Sequence, residues 1–236
     1  MHPDLCGFVS AAVYERRLRS APGTEVQSLL ADPAADPEAI APAGLRFVCV
    51  DSLGCTQRSQ PEADRLAVTY NALLGQRWRD GRGREHTISV DDILVVSPYN
   101  MQVELLKRTL PAGARVGTVD KFQGQEAAVV LVSMATSSGD DLPRNVEFLY
   151  SRNRLNVAIS RARCLAVIYA NPRLLEIPCG TISQMELVNG LCWARAYSDE
   201  RSAPIETFDR SGRVDALIQD AAGYEAISLS PPTRGR

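Results

Sequence analysis

The stretch Ile93-Leu94-Val95-Val96-Ser97-Pro98-Tyr99-Asn100 decides the fold of this chain. Four consecutive apolar residues are typical of a short strand that is buried on both of its faces. Ser97-Pro98 ends this strand, because proline cannot continue a central strand. The residues that follow have helical spacing and predict a helix over residues 101–110. A buried strand that runs directly into a helix is the unit from which α/β proteins are built.

The same unit recurs on both sides of this stretch. Further strands are predicted at residues 47–50, 115–119, 128–134 and 164–170, and further helices at 61–77, 151–162 and 183–197. Short apolar strands that alternate with helices indicate an α/β fold with a mainly parallel sheet covered by helices on both faces. Its crossovers should be right-handed. No internal repeat is visible.

The chain divides into four segments by its sequence pattern. Residues 1–19 are predicted to be an N-terminal helix that leads into the domain, since residues 4–18 carry apolar side chains at helical spacing. Residues 20–44 are rich in proline, alanine and aspartate and are predicted to be a long surface loop. Residues 45–197 have the size of one α/β domain, and residues 198–236 read as a loosely ordered tail. Within the domain, the charged stretch at residues 79–85 is interpreted as a solvated turn.

Composition restricts the possible functions. The chain has 236 residues, 26 basic and 28 acidic, so its net charge is −2, and its hydrophobic content of 45% is sufficient for a core. Nucleic-acid binding would therefore need a local basic patch rather than a global positive charge. Only two of the basic residues are lysines, Lys107 and Lys121, and neither lies in a GxxxxGK[ST] motif. The chain thus lacks a P-loop of its own.

Short sequence patterns indicate the cellular compartment and whether a metal site is expected. There is no apolar run of 18 residues and no signal peptide, so the sequence predicts no membrane contact. The six cysteines form no CxxC pair and only two histidines are present, which makes a zinc site improbable. We interpret the cysteines as reduced, small apolar residues and expect a cytoplasmic protein.

Candidate ligand sites follow from the topology. In open α/β sheets, ligands bind beyond the carboxyl ends of the strands, and we expect residues 97–102, 117–126 and 155–163 to lie at that edge. Each segment alone has an ordinary structural interpretation. The first could be a strand-ending turn, the second a loop with a tight bend, and the arginines of the third solvated residues at a helix end.

Taken together, the three segments resemble motifs IV, V and VI of superfamily-1 helicases. The resembling branch contains the nonsense-mediated-decay RNA helicase and the Okazaki-fragment helicase–nuclease. The matching residues are Ser97, Pro98, Tyr99 and Gln102 for motif IV, Val119-Asp120-Lys121-Phe122-Gln123-Gly124-Gln125-Glu126 for motif V, and Leu155-Asn156-Val157-Ala158-Ile159-Ser160-Arg161-Ala162-Arg163 for motif VI. Met1-His2-Pro3, with Phe8, Ser10 and Tyr14, resembles a further segment of the family.

The resemblance implies a RecA-like domain, the second of two, with ATP in the cleft between them. Arg161 matches the family's arginine finger, and Glu126 matches a glutamate that contacts the nucleotide, beside Gln123 and Gly124. For Asn156 the implied role is weaker, namely orienting the finger segment. Arg163 is either a second phosphate contact or a structural ion-pair partner. The first domain would supply the P-loop and the ligands of Mg²⁺.

The resemblance also implies a track for single-stranded nucleic acid, with DNA favoured over RNA. The candidate contacts are Ser97, Tyr99, Gln102, Thr118 and Lys121. The implied protein partner is a P-loop-bearing RecA-like domain, in cis or in trans. The family's R-M-H-P segment starts here at its methionine, so we expect either an internal part of a longer helicase or a separately made half. The alternative function is a non-catalytic RecA-like module that binds nucleic acid or a partner protein.

Overall fold

The computed structural model describes residues 1–139, 149 and 151–202. The tail predicted for residues 198–236 lies outside the described residues from residue 203 onward. The described residues form five α-helices and eight strands. The helices are α1 (Pro3–Val13), α2 (Gln60–Leu73), α3 (Asn100–Thr109), α4 (Arg152–Ser160) and α5 (Ile182–Ser202), and the strands are β1 (Ser28–Leu29), β2 (Gly44–Cys49), β3 (Arg77–Arg79), β4 (Glu85–Thr87), β5 (Ile93–Val96), β6 (Arg115–Gly117), β7 (Ala127–Ser133) and β8 (Ala162–Ala170).

Five of the strands form one parallel sheet in the order β2-β8-β7-β5-β6. The central strand β7 pairs with β5 on one side and β8 on the other, and all seven of its residues are buried. Strand pairs that are distant in the chain are adjacent in the sheet, which requires crossovers through the helices. The predicted α/β fold is confirmed, and the arrangement is RecA-like.

Alternate residues of the strands supply two separate cores. On one face, Val130 and Ile168 belong to the core that is covered by α1, α4 and α5. On the other face, Val129 and Val167 belong to the core that is covered by α2 and α3. Because successive strand residues point to opposite faces, the continuous apolar runs of the sequence fill both cores at once.

The charged stretch after α2 is the turn of a hairpin. β3 pairs with β1 and with β4 in a small antiparallel sheet, and Asp80 holds the turn between β3 and β4. The Asp80 carboxylate is hydrogen-bonded to His86 and accepts hydrogen bonds from the backbone N–H groups of Arg82 and Arg84. The His86 hydrogen bond and these two donors hold the pKa of Asp80 well below its usual range.

The proline-rich segment at residues 20–44 is more ordered than a surface loop. It contains β1, and Ile40 is buried in the core under α2. Asp36 receives two hydrogen bonds from Arg65, at 2.7 and 2.8 Å, and one from Thr69. Burial opposes the ionisation of Asp36, but these donors outweigh it and lower its pKa. Local composition does not reveal tertiary contacts of this kind, so the sequence predicted a surface loop where the structure has an ordered segment.

Several helix ends also differ from the sequence expectation. α1 ends at Val13, because Glu15 and Arg16 have φ values of 50° and 64°, outside the right-handed helical region. α2 ends at Leu73 and a turn at Gly75, with φ of 79°, leads into β3. α5 continues to Ser202 rather than ending at residue 197. Among the described residues, no helix has the length and apolar character needed to cross a membrane.

A single buried carboxyl group lies beneath the carboxyl end of β7. Glu62 of α2 is fully buried and accepts hydrogen bonds from the Ser133 hydroxyl at 2.6 Å and from the Ala135 N–H at 2.8 Å. Burial raises the pKa of Glu62 to about 7, although these hydrogen bonds act in the opposite direction.

This carboxyl group makes stability depend on pH. Its pKa is above the unfolded value of 4.5, so its contribution is fully present below pH 4.5 and is lost as pH rises through about 7. The loss is on the order of 3 kcal/mol. We expect Glu62→Gln to remove this pH-dependent part of the free energy of unfolding. Urea unfolding at a series of pH values would measure it. The exposed Glu25→Gln is the control, and an unchanged pH dependence in Glu62→Gln would contradict the assignment.

Candidate functional site

The predicted site residues lie at two opposite edges of the parallel sheet. The carboxyl ends of β5 and β6 carry Ser97, Tyr99 and Thr118. Glu126 directly precedes β7, and Arg161 directly precedes β8, so both lie at the amino edge. The expectation that all three motif segments share the carboxyl edge was therefore wrong. A residue that comes before its strand must lie at the amino end, and parallel strands share that end.

Arg161 ends helix α4 beside β7. Its backbone oxygen accepts a hydrogen bond from the Ala127 N–H at 3.1 Å, which fixes the helix end at the sheet edge. The guanidinium donates only to its own helix, to the Val157 oxygen at 3.2 Å and the Ser160 hydroxyl at 3.3 Å. No carboxylate of the described residues pairs with it. The half-buried positive charge is thus not neutralised within the described part of the domain.

Arg163 and Glu126 are neighbours at the same edge. The Arg163 Nε lies 3.3 Å from the Glu126 carboxylate, and both side chains are substantially exposed. On its other side, the guanidinium carbon of Arg163 lies 5.9 Å from the centre of the Trp78 ring. An exposed pair of this kind contributes at most about 1 kcal/mol to stability, so a ligand can displace it at small cost. The structural ion pair exists, while a phosphate contact of Arg163 stays a prediction.

The backbone before β7 is open to solvent. Gly124 has a φ of 80°, and no atom lies within 4 Å of the position that a Cβ would occupy there. Gln123 is exposed at the end of the single helical turn Val119–Phe122. A ligand can therefore approach the main chain closely at this point.

Asn156 lies away from this edge. It faces α1, where its amide nitrogen donates to the Tyr14 hydroxyl at 3.2 Å. Its Oδ1 is buried and has no hydrogen-bond partner in the part of the chain that the structure describes. The side chain joins α4 to α1 and reaches Arg161 only through the helix that both residues share.

A polar groove of about 260 Å³ lies at the carboxyl edge. Of the predicted nucleic-acid residues, Tyr99 and Thr118 line it. The other lining side chains were not predicted as contacts, although most of them lie within the segments 97–102 and 117–126 that were expected at this edge. These are Gln57, Pro98, Asn100, Met101, Val119, Asp120 and Arg154.

Two predicted contacts, Ser97 and Gln102, are fully buried beneath this groove. The Gln102 carbonyl accepts from the Ser59 N–H at 2.8 Å, and its amide nitrogen donates to the Ser59 oxygen and the Ser133 hydroxyl. Tyr99 is only 4% exposed. Neither Ser97 nor Gln102 can therefore touch a ligand in this conformation.

Lys121 extends back over the carboxyl end of β6. Its Nζ donates to the Val116 oxygen at 3.1 Å and lies 5.7 Å from the centre of the Phe122 ring. This path needs the small Gly117, since a Cβ there would be 2.5 Å from the Lys121 Cδ. The ammonium is thus held against the main chain of β6, two residues before the groove residue Thr118. No cluster of histidine, cysteine or acidic side chains that could hold a metal occurs in the described part of the chain.

Comparison with known proteins agrees with this geometry. Residues 1–173 match the family described as "AAA domain". The RNA helicase Mov10l1 of Homo sapiens is 35% identical over 113 residues, which are 44% of this chain and 9% of that protein. The probable helicase senataxin of Homo sapiens is 26% identical over 225 residues, 92% of this chain and 8% of that protein.

A third relative is the DNA-binding protein SMUBP-2 of Mesocricetus auratus. It is 28% identical over 186 residues, which are 75% of this chain and 18% of that protein. The chain spans about a tenth of the length of the RNA-helicase relatives that it matches. Properties of those whole proteins therefore do not transfer directly to these 236 residues.

Two glycines allow the conformation before β7 to be tested. We expect Gly124→Ala to destabilise the fold by about 1 kcal/mol through its positive φ alone, since no neighbour obstructs the new methyl group. Gly190→Ala in α5 is the matched control, which also meets no atom within 4 Å and should stabilise by about 0.5–1 kcal/mol. Chemical unfolding would measure both, and equal shifts in the same direction would exclude backbone strain at Gly124.

Proposed function

Since the chain belongs to the AAA domain family, we propose that it is the second motor domain of an ATP-dependent superfamily-1 helicase. The helicase names of its relatives support a motor domain that acts on nucleic acid. In this proposal the chain acts with a P-loop-bearing RecA-like domain, in cis or in trans. Its two functional edges face two different ligands.

The observation that carries this proposal is the state of Arg161. Its guanidinium stands at the amino edge of the sheet without a carboxylate partner among the described residues. Phosphoryl transfer spreads negative charge over the γ-phosphate oxygens, and an arginine brought across a domain cleft stabilises that charge. Helix α4 and the hydrogen bond to Ala127 hold Arg161 in place for this task.

The neighbouring residues fit a nucleotide as well. ATP, when bound with Mg²⁺, supplies the phosphoanhydride bond whose hydrolysis powers the motor, and we expect the Mg²⁺ ligands from the P-loop domain. In this chain, Gln123 and Gly124 leave the main chain accessible, and the exposed Glu126 offers a carboxylate to the nucleotide. A nucleotide would compete with the weak Glu126–Arg163 pair and free Arg163 as a second cation for phosphate.

We assign single-stranded nucleic acid to the groove at the carboxyl edge. Thr118 and Asn100 present short polar side chains there, Asp120 and Arg154 are the charged lining residues, and Lys121 follows Asp120 in the same segment. Hydroxyl, amide and ammonium donors bind phosphates without regard to sequence, as a translocating motor requires. Closing and opening of the two domains around the nucleotide would move the strand.

DNA is our first choice of ligand, and RNA is the alternative. Among the relatives, Mov10l1 is named an RNA helicase and SMUBP-2 a DNA-binding protein. Binding of matched single-stranded DNA and RNA oligonucleotides by the same preparation would decide between them.

Arg161 provides the main functional test. We expect purified residues 1–236 alone not to hydrolyse ATP, because they contain no P-loop. Joined to a P-loop domain, the wild-type chain should show ATPase stimulated by nucleic acid, and Arg161→Ala should lower kcat by about 10³-fold or more. Arg77→Ala, an exposed arginine paired with Glu85, is the control.

Two results would contradict this assignment. Full activity of Arg161→Ala in the joined protein would exclude the arginine finger. Binding of nucleic acid with no ATPase in any joined form would favour the alternative, a non-catalytic binding module.

The two lysines of the chain form a matched pair for testing the nucleic-acid track. Lys121→Ala should lower the slope of log affinity against log salt for single-stranded oligonucleotides by about 0.7, the value for one lost phosphate contact. Lys107→Ala removes the same charge from the exposed face of α3, where Lys107 is paired with Glu104, and should leave the slope unchanged. Equal slopes for both variants would remove Lys121 from the track.

A further inference from the structure

A buried hydrogen-bond network lies directly under the nucleic-acid groove. Gln102, in the first turn of α3, donates to the Ser133 hydroxyl at 2.9 Å, and Ser133 donates to the Glu62 carboxylate at 2.6 Å. All three side chains have no exposed surface. The network thus connects α3, the carboxyl end of β7 and α2 where the ligand itself cannot reach.

The same network holds both walls of the groove. Gln102 makes two hydrogen bonds to the main chain of Ser59, the N-cap of α2, and Ser59 lies two residues after the groove residue Gln57. Asn100 and Met101, on the other wall, directly precede Gln102. A change in this amide would therefore move side chains on both walls.

Backbone strain is concentrated at the end of this network. Ala135 has a φ of 65°, in the left-handed region that residues with a Cβ rarely adopt. The Glu62 carboxylate accepts the Ala135 N–H at 2.8 Å and so holds this conformation. Glu62 thus links this left-handed residue after β7 to Ser133 and, through Ser133, to Gln102.

We propose that Gln102 and Glu62 are positioning residues for nucleic-acid binding, which together hold the first turn of α3 and the start of α2 in the shape of the groove. This replaces the direct contact that the motif had suggested for Gln102, and it rests on the proposed function of the groove. Gln102 acts through Asn100 and Met101, and Glu62 acts through Ser133 and Ala135.

The protonation state of Glu62 changes the strength of the hydrogen bonds in this network. Hydrogen bonds to a carboxylate are roughly twice as strong as those to a neutral acceptor. The second carboxyl oxygen, Oε1, is buried and has no partner among the described residues, so a proton bound there leaves the same geometry with weaker bonds. The groups that oppose the effect of burial on Glu62 are the Ser133 hydroxyl and the N–H groups of Met134 and Ala135. On the side of α3, Glu62 is linked through Ser133 to Gln102, which is neutral. No charged side chain of the described residues shifts the pKa of Glu62.

Oligonucleotide binding should depend on pH through this network. Affinity should rise about three-fold from about pH 6 to about pH 8, because the hydrogen bonds of Glu62 to Ser133 and Ala135 strengthen when it ionises, even though the buried charge lowers the overall stability of the domain over the same range. Deprotonation of histidine over the same range removes positive charge and would weaken binding, so it cannot imitate this rise.

The experiment measures anisotropy of a labelled oligo-dT of about 15 nucleotides across this pH range. Wild type should show the rise, and Glu62→Gln, which keeps the size of the side chain, should lose it. Ser133→Ala, which cuts the link to Gln102, should also lose it. The control is Glu104→Gln on the exposed face of α3, which should keep the wild-type profile. A rise that persists in Glu62→Gln and Ser133→Ala would overturn the proposal.

A second measurement separates this proposal from the proposed function. Amide hydrogen exchange in the absence of nucleic acid should be faster at residues 100–103 and at Ala135 in Glu62→Gln than in wild type. Failure of wild type to bind oligonucleotides at any pH would reject the nucleic-acid groove, whereas unchanged exchange in Glu62→Gln would reject the positioning role. Comparison of far-UV circular dichroism verifies that each variant is folded.

Discussion

The pairing of β7 with both of its neighbours is the interaction on which the rest of the domain depends. Seven consecutive buried residues join this strand to β5 and β8 and supply apolar side chains to both cores. Because all these strands are parallel, the chain must return through helices, and every loop falls at one of two edges. β7 alone connects residues important at both edges, with Glu126 before it and Ser133 at its end.

Separation of the two edges explains how one small domain can face two ligands. At the amino edge, Arg161 lies near the exposed Arg163–Glu126 pair, while the groove at the carboxyl edge is lined by neutral polar side chains together with Asp120 and Arg154. The overall charge of −2 is compatible with the proposed function, since each proposed ligand would meet only its own edge. The interior between the edges is packed on both faces and contains a hydrogen-bonded polar link from Gln102 through Ser133 to Glu62.

Most of the fold could be predicted from the sequence, since its signals are local. The apolar runs of β5, β7 and β8 and the helical spacing of α3 each lie within ten residues, and the structure has these elements close to the expected positions. The segment at residues 20–44 is more ordered than the sequence predicted. Its order depends on the hydrogen bond from Arg65 to Asp36, and these two residues are far apart in the chain. The same holds for Gln102, whose partners Ser59 and Ser133 lie 43 and 31 residues away.

Sequence by itself determined the fold class, the absence of a P-loop and the three motif segments, because hydrophobic pattern and motif spacing are properties of neighbouring residues. Tertiary structure alone decided which motif side chains reach solvent and which partners they meet. Arg161 has no carboxylate partner among the described residues, while Gln102 is enclosed beneath the groove. The physical reason is that strand order and burial depend on pairings between distant parts of the chain, which local sequence does not record.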